Sequence, residues 1–226
     1  MKLYIGKSKV ELSNEELERL YLGSGNEADV YLYKKEILKI YNSSSKKKLD
    51  EEEVKEMSSI QTKRILLPKD PIYDENNQFI GYTRKYVSDY YKEIVGKMTV
   101  PKFIEELSMI EDDIDILSQN KVDVEDFNMD NTLVGDEIYL SDPGSYIKMD
   151  ELRSSQVHAN NVKTLNEFIV NELIPSFTKP PKKEYYKLAK KLSEEEKISD
   201  YLSAQSYNDK ETVKSYIRKL SITLSK

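Results

Sequence analysis

The sequence predicts an α+β chain, strand-rich over residues 1–87 and mainly helical over 88–226. Three observations predict it. Residues 3–41 alternate short β-branched and aromatic runs with Gly-Lys-Ser and Gly-Ser-Gly turns. Phe103, Leu107, Ile110, Ile114 and Leu117 recur at helical spacing. After both patterns stands Asp123–Tyr146, which reads as loop, strand, tight turn, strand and loop.

Bulk properties narrow the class. The 226 residues are enough for one domain, or one domain of two lobes, with a sizeable core. Charged residues make up 34% of the chain and the formal net charge is −6, which argues against a general grip on nucleic acid. Cysteine is absent, excluding a disulfide framework and a zinc–thiolate centre. No apolar run is long enough for a membrane span, and MKLYIGKSKVEL is too polar for a secretory leader. A cytoplasmic protein is expected, with delivery to a host cell as a secreted effector left open. Oligomeric state is left open too.

In chain order, Leu3–Ile5 and Val10–Leu12 form a hairpin around Gly6-Lys7-Ser8. Ser13 and Glu16 have the spacing of a capping box for a short helical turn. Leu20–Tyr33 reads as strand, Gly23-x-Gly25 turn and strand, with Asn26 and Glu27 at the tip. A dinucleotide fingerprint needs a helix after its glycines, and Asp29–Tyr33 is β-rich instead. An inward-pointing Glu27 would repel a phosphate. Glu36–Tyr41 is the next strand, with Lys39 facing away from Leu38 and Ile40. Leu49–Thr62 is a helix, acidic at its start as the dipole favours, with Glu53, Met57 and Ile60 on one face. Pro71–Tyr73 and Phe79–Val87 are two strands around a polar turn.

The second part opens on the Phe103–Leu117 stripe, which places Asp112, Asp113 and Asp115 on the solvent side. In the loop–hairpin–loop segment, Thr132-Leu133-Val134 and Ile138-Tyr139-Leu140 flank Gly135-Asp136. That hairpin brings the Asp126/Asn131 loop and the Asp142 loop to one end. Oxygen-bearing side chains gathered there suit Mg²⁺. Val162–Ile169 is helical. Beyond Pro175, Pro180 and Pro181, Glu184–Leu202 and Asp209–Leu224 read as amphipathic helices, with Tyr186, Leu188, Leu192, Ile198 and Leu202 as one apolar set.

This order of parts resembles the protein-kinase-like superfamily. The family's Gly-rich loop, G-x-G-x-x-G-x-V, corresponds to Gly23-x-Gly25-x-x-Ala28-x-Val30. Its catalytic loop, ending D-x-x-x-x-N, corresponds to Asp126–Asn131, and its D-F-G to Asp142-Pro143-Gly144. The resemblance covers residues 20–145 and implies a bilobal fold: an N-lobe of residues 1–87 with five strands and one helix, and a reduced, mainly helical C-lobe of residues 88–226.

It further implies ATP and Mg²⁺ as cofactors, with Mn²⁺ as an alternative ion. Gly23, Ser24, Gly25, Asn26 and Val30 would cover the nucleotide. Lys39 would bind its phosphates, and Glu53, with Glu56 as fallback, would hold Lys39. The backbone at Lys85 and Val87 would bind adenine, which puts Arg84 in the gatekeeper slot. Asn131 and Asp142 would hold the metal, and Asp126 would accept the proton of a protein hydroxyl, Ser or Thr. Departures from the pattern are several. No A-P-E follows, Pro143 replaces the Phe, Glu125 replaces the Arg, and Asn128 stands where a Lys aims at the γ-phosphate. The chain in this respect looks like small bacterial effector kinases and similar minimal kinases. A pseudokinase that binds a partner, and a small-molecule phosphotransferase, are the other readings.

Overall fold

The computed structural model describes residues 2–42, 49–88, 97–141 and 146–225. The chain divides into two compact units: Met1–Gln61 with Leu66–Ser88, and Thr62–Ile65 with Asp89–Lys226.

The first unit is built on one antiparallel sheet. Its strands are β1 (Lys2–Ile5), β2 (Ser8–Glu11), β3 (Tyr21–Ser24), β4 (Ala28–Tyr33), β5 (Glu36–Tyr41), β6 (Pro71–Tyr73) and β7 (Phe79–Lys85), in the order β2-β1-β6-β7-β5-β4-β3. Among the described residues the sheet thus has seven strands rather than five. The N-terminal hairpin is not a separate piece: β1 joins the outer edge of β6, with Tyr4 opposite Tyr73 and Ile5 opposite Ile72. Burial drives this, since Leu3 packs with Leu12, Leu38 and Ile72 in the sheet's core.

Two helices accompany the sheet where one was expected. Helix α1 (Asn14–Leu20) starts at Ser13, whose hydroxyl accepts the Glu16 N–H at 3.1 Å while the Glu16 carboxylate accepts the Ser13 N–H at 2.7 Å. The Ser-x-x-Glu spacing predicts this box. Helix α2 (Glu51–Ser58) is shorter than expected and buries Val54 and Met57. It begins at Glu51, not Leu49, because Asp50 supplies the cap.

The second unit centres on α3 (Val100–Gln119), whose buried side chains include Phe103, Leu107, Ile110, Ile114 and Leu117. Strand β8 (Val122–Val124) follows and pairs with β11 (Tyr146–Lys148), while β9 (Thr132–Val134) and β10 (Ile138–Leu140) form the expected hairpin. Helix α4 (Ser154–Phe168) passes through a wide π turn, Ile169–Leu173, into α5 (Ile174–Thr178). Helices α6 (Lys182–Ser193), α7 (Ile198–Ser203) and α8 (Val213–Ser225) complete it.

Two expectations about this unit need correction. The helix expected over Glu184–Leu202 is split in two. Helix α7 starts afresh because Ser199 donates its N–H (3.1 Å) and its hydroxyl to the buried Glu111 carboxylate of α3, and Lys197 reaches Asp112 at 3.3 Å and Asp115 at 3.0 Å. The buried tyrosine of α6 is Tyr185, whose hydroxyl donates to the Val170 carbonyl at 2.8 Å; Tyr186 is 71% exposed.

Asp113 is also not on a solvent face. It is fully buried and accepts the backbone N–H groups of Lys63 (2.8 and 3.0 Å), Arg64 (2.6 Å) and Ile65 (2.8 Å). Beside it, Glu106 takes Arg64 on both oxygens (2.5 and 3.0 Å), Lys102 at 2.8 Å and the Ile138 N–H at 3.0 Å. These bonds are what tie residues 62–65 to the second unit. Among the described residues no helix is long and apolar enough to cross a membrane.

Candidate functional site

In the first unit, cross-strand register lines up four residues. Gly23 lies opposite Val30, Val30 opposite Lys39, and Lys39 opposite Tyr82. Directly opposed residues share a sheet face, so Gly23, Val30, Lys39 and Tyr82 form one row across β3, β4, β5 and β7. Leu38, one residue away on the lysine strand, points to the other face and is fully buried in the core.

Next to this row, where β3 turns into β4, the glycine turn is closed by the Gly25 N–H donating to the Ala28 carbonyl at 2.9 Å. Asn42, just past β5, clamps it further. Its N–H donates to the Glu27 carbonyl at 2.8 Å and its side-chain amide to the Gly25 carbonyl at 3.2 Å. Neither glycine is required by its surroundings. A Cβ at Gly23 would meet nothing within 4 Å, and one at Gly25 only the Ala28 carbonyl at 3.8 Å. The contrast is Gly81 on β7, where a Cβ would fall 2.0 Å from the Lys39 carbonyl oxygen.

The Lys39 ammonium pairs with the Glu27 carboxylate at 3.3 Å and lies 5.8 Å from the centroid of the Tyr82 ring. Glu53, the expected partner, is engaged elsewhere. It is the third residue of α2, its carboxylate accepts the Asp50 N–H at 2.8 Å, and its own N–H donates to Asp50 at 2.9 Å. The helix cap claims it. Tyr82, not Arg84, stands opposite Lys39; Arg84 lies opposite Ile37, two residues further along the same face. Lys85 ends β7 exposed, its carbonyl accepting from the Arg84 guanidinium at 3.4 Å, and Val87 follows half-buried.

In the second unit the loop from Glu125 to Asn131 is organised by Asn128. Its side-chain oxygen accepts the N–H groups of Asp130 and Asn131, both at 3.0 Å, and its amide donates to the Asp126 carboxylate at 3.0 Å. The Asn128 carbonyl accepts the Thr132 hydroxyl at 2.7 Å. At the hairpin's far end, Ser141 donates its N–H and its hydroxyl to the Asn131 carbonyl, both at 2.9 Å. Asp126, Phe127, Asn128, Asn131, Leu140, Ser141 and Tyr146 line one small cleft. The structure thus brings Asp126 and Asn131 to one place. Asp142, with Pro143 and Gly144, lies outside the described residues, next in sequence to Ser141.

The loop is braced from below by groups that sequence reasoning did not single out. Asn161, fully buried on α4, accepts the Val124 N–H at 2.7 Å and donates to the Val122 carbonyl at 2.9 Å and the Ser118 hydroxyl at 3.0 Å. Glu172, in the π turn, accepts the Met129 N–H at 3.1 Å. Phe127 packs on Phe168 with ring centroids 6.0 Å apart. No sequence signal marks Asn161 or Glu172, because their partners, backbone groups and the Ser118 hydroxyl, are distant in the sequence.

Electrostatics separates the three buried acids of α3. Burial pushes Glu111 and Asp113 above the ordinary carboxylate range, against the pull of their hydrogen bonds. Burial acts on Glu106 as well, but Arg64, Lys102 and the Ile138 N–H together hold it below that range. Among the described residues no group of three His, Cys, Asp or Glu side chains is placed to hold a metal. No protein-family model matches the chain, and no curated protein matches it in sequence.

Proposed function

We propose that the chain is an ATP- and Mg²⁺-dependent phosphotransferase of the protein-kinase-like type, moving the γ-phosphoryl group to a protein hydroxyl. The observation that carries the proposal is the row Gly23–Val30–Lys39–Tyr82 next to a turn with room at both glycines. A lysine fixed in the row next to a glycine turn is what binding of phosphates by ammonium and backbone N–H groups requires. The order of parts around it supports the same reading: glycine hairpin, lysine strand, helix α2, then β6 and β7.

In the second unit, the donors expected at a metal are oxygens, from Asn131 and Asp142. Mg²⁺ commonly uses one or two carboxylates, completing its shell with water and substrate phosphates, so a cluster of three acids is not needed. When bound, the ion would neutralise charge on the transferring phosphates. Asp126 would orient the acceptor hydroxyl and take its proton, and the Asn128 amide, bonded to it, would fix the carboxylate's direction. The Lys39 ammonium would hold the nucleotide's phosphates.

One observation favours a second reading, nucleotide binding without transfer. Asn128 is neutral and turned onto Asp126, so this position supplies no cation to the γ-phosphate. Transfer of labelled γ-phosphate to the protein itself and to generic acceptors, beside calorimetric binding of Mg-ATP, separates the two. Asp126→Ala is expected to lower transfer by about 10²–10⁴-fold with binding retained, and Asp142→Ala to lose Mg²⁺-dependent binding. Binding without any transfer would leave the second reading standing, and normal turnover of Asp126→Ala would remove Asp126 as the base.

A further inference from the structure

We propose that Glu27, on the glycine turn, is the positioning residue for Lys39, in the place the family resemblance gives to an acid of α2; this rests on the nucleotide-binding reading above. The Lys39 and Glu27 side chains are only 16% and 26% exposed and lie 3.3 Å apart. At that depth an ion pair is screened far less than a pair on the open surface. Glu53 has a competing role, since leaving Asp50 would uncap the first turn of α2. Glu27 has no such conflict.

The turn that carries Glu27 is also tied to the strand that carries Lys39. Glu27 follows Gly25 by two residues, its carbonyl accepts the Asn42 N–H, and the Asn42 side chain holds the Gly25 carbonyl. Ala28, buried to 1% exposure, seats the far side of the turn opposite Tyr41. Acid, lysine and clamp therefore belong to one three-stranded piece, β3-β4-β5, and their geometry does not depend on where α2 sits. A lysine ammonium carries three N–H donors, so Glu27 and phosphate oxygens can be held together. The inward turn of Glu27 then aims the lysine instead of merely repelling phosphate.

The test uses the full chain and Mg-ATP, with affinity read by calorimetry and transfer by labelled γ-phosphate. Glu27→Gln is expected to lose about tenfold in affinity or transfer, and Glu27→Asp to recover part of the loss. In a Lys39→Met background, Glu27→Gln is expected to add nothing, a non-additivity that a merely structural role would not produce. Thermal melts of each variant check that the sheet is intact. If Glu27→Gln binds as well as wild type or better while Glu53→Gln takes the loss, this inference is overturned and the nucleotide-binding reading survives. If the wild-type chain binds no nucleotide, both fall.

Discussion

Asp113 offers the sharpest test of how the second unit is held. Replacing it by alanine leaves three converging backbone N–H groups without their acceptor. The donors on Arg64 and Ile65 sit in residues only 8% and 1% exposed, so water cannot simply take over. Each buried donor left unsatisfied costs about 1–3 kcal/mol, and the Lys63 N–H, half in water, costs less. The sum is about 3–6 kcal/mol, large against the roughly 5–15 kcal/mol that stabilises a typical folded protein. Asp113→Asn keeps one oxygen, able to accept two of the three bonds, while its NH₂ faces a donor; about half the loss is expected. Urea unfolding followed by far-UV circular dichroism measures both. A loss under about 1 kcal/mol for Asp113→Ala would refute the argument that this carboxylate organises residues 63–65.

Other outcomes follow from the same geometry. Gly81→Ala drives a methyl group into the Lys39 carbonyl, 2.0 Å away, and is expected to cost about 3 kcal/mol or more because β7 must leave β5; a melting temperature equal to wild type would contradict it. Glu111 bears on pH. Burial raises its folded pKa, so the folded chain holds the proton better than the unfolded one; its contribution is full below the unfolded value of 4.5 and is lost as pH rises through the folded value. Glu111→Gln should therefore gain less stability than wild type as pH falls from neutral toward 4.5, read as urea midpoints across that range. Parallel curves for the two proteins would count against it. Glu106 works in the opposite sense, its contribution being lost as pH falls through its depressed value.

Much of the local structure was legible because its causes are local. The Ser13/Glu16 box, the α3 stripe and the hairpin after Val134 each rest on residues a few positions apart, and each forms, the hairpin with a three-residue connection, residues 135–137, in place of the two-residue turn expected. What failed was decided at a distance. Asp113 lies off the apolar stripe, yet residues 63–65 pass over that side of α3 and bring three backbone donors, which have no signature in side-chain pattern. The helix ran too far in expectation because nothing between Ser193 and Ile198 shows that Glu111 and Asp115 will capture the next turn. Glu53 is a different case, since the sequence did carry the signal: Asp50 and Glu53 have the same spacing as Ser13 and Glu16, and here the Glu53 carboxylate caps its own helix. For Glu27 the position at the turn tip was legible, but its side chain meets Lys39, twelve residues on, which no local pattern announces.

The wide turn at Ile169–Leu173 makes α4 and α5 a single rod with a change of phase in the middle. Each residue of an α-helix advances the azimuth by about 100°, so one residue taken up in a wider turn shifts every later side chain around the axis by that amount. Upstream of the shift, Asn161 and Phe168 address β8 and Phe127; within it, Glu172 comes round to the Met129 N–H. Asn161, Phe168 and Glu172, at i, i+7 and i+11, thus lie along one side of the rod and address one stretch of chain, residues 124–129. Removing a single residue from this turn would leave the composition, the hydrophobicity and the helical content almost unchanged, and would carry the buried side chains of α5, Ile174, Phe177 and Thr178, about 100° round the axis.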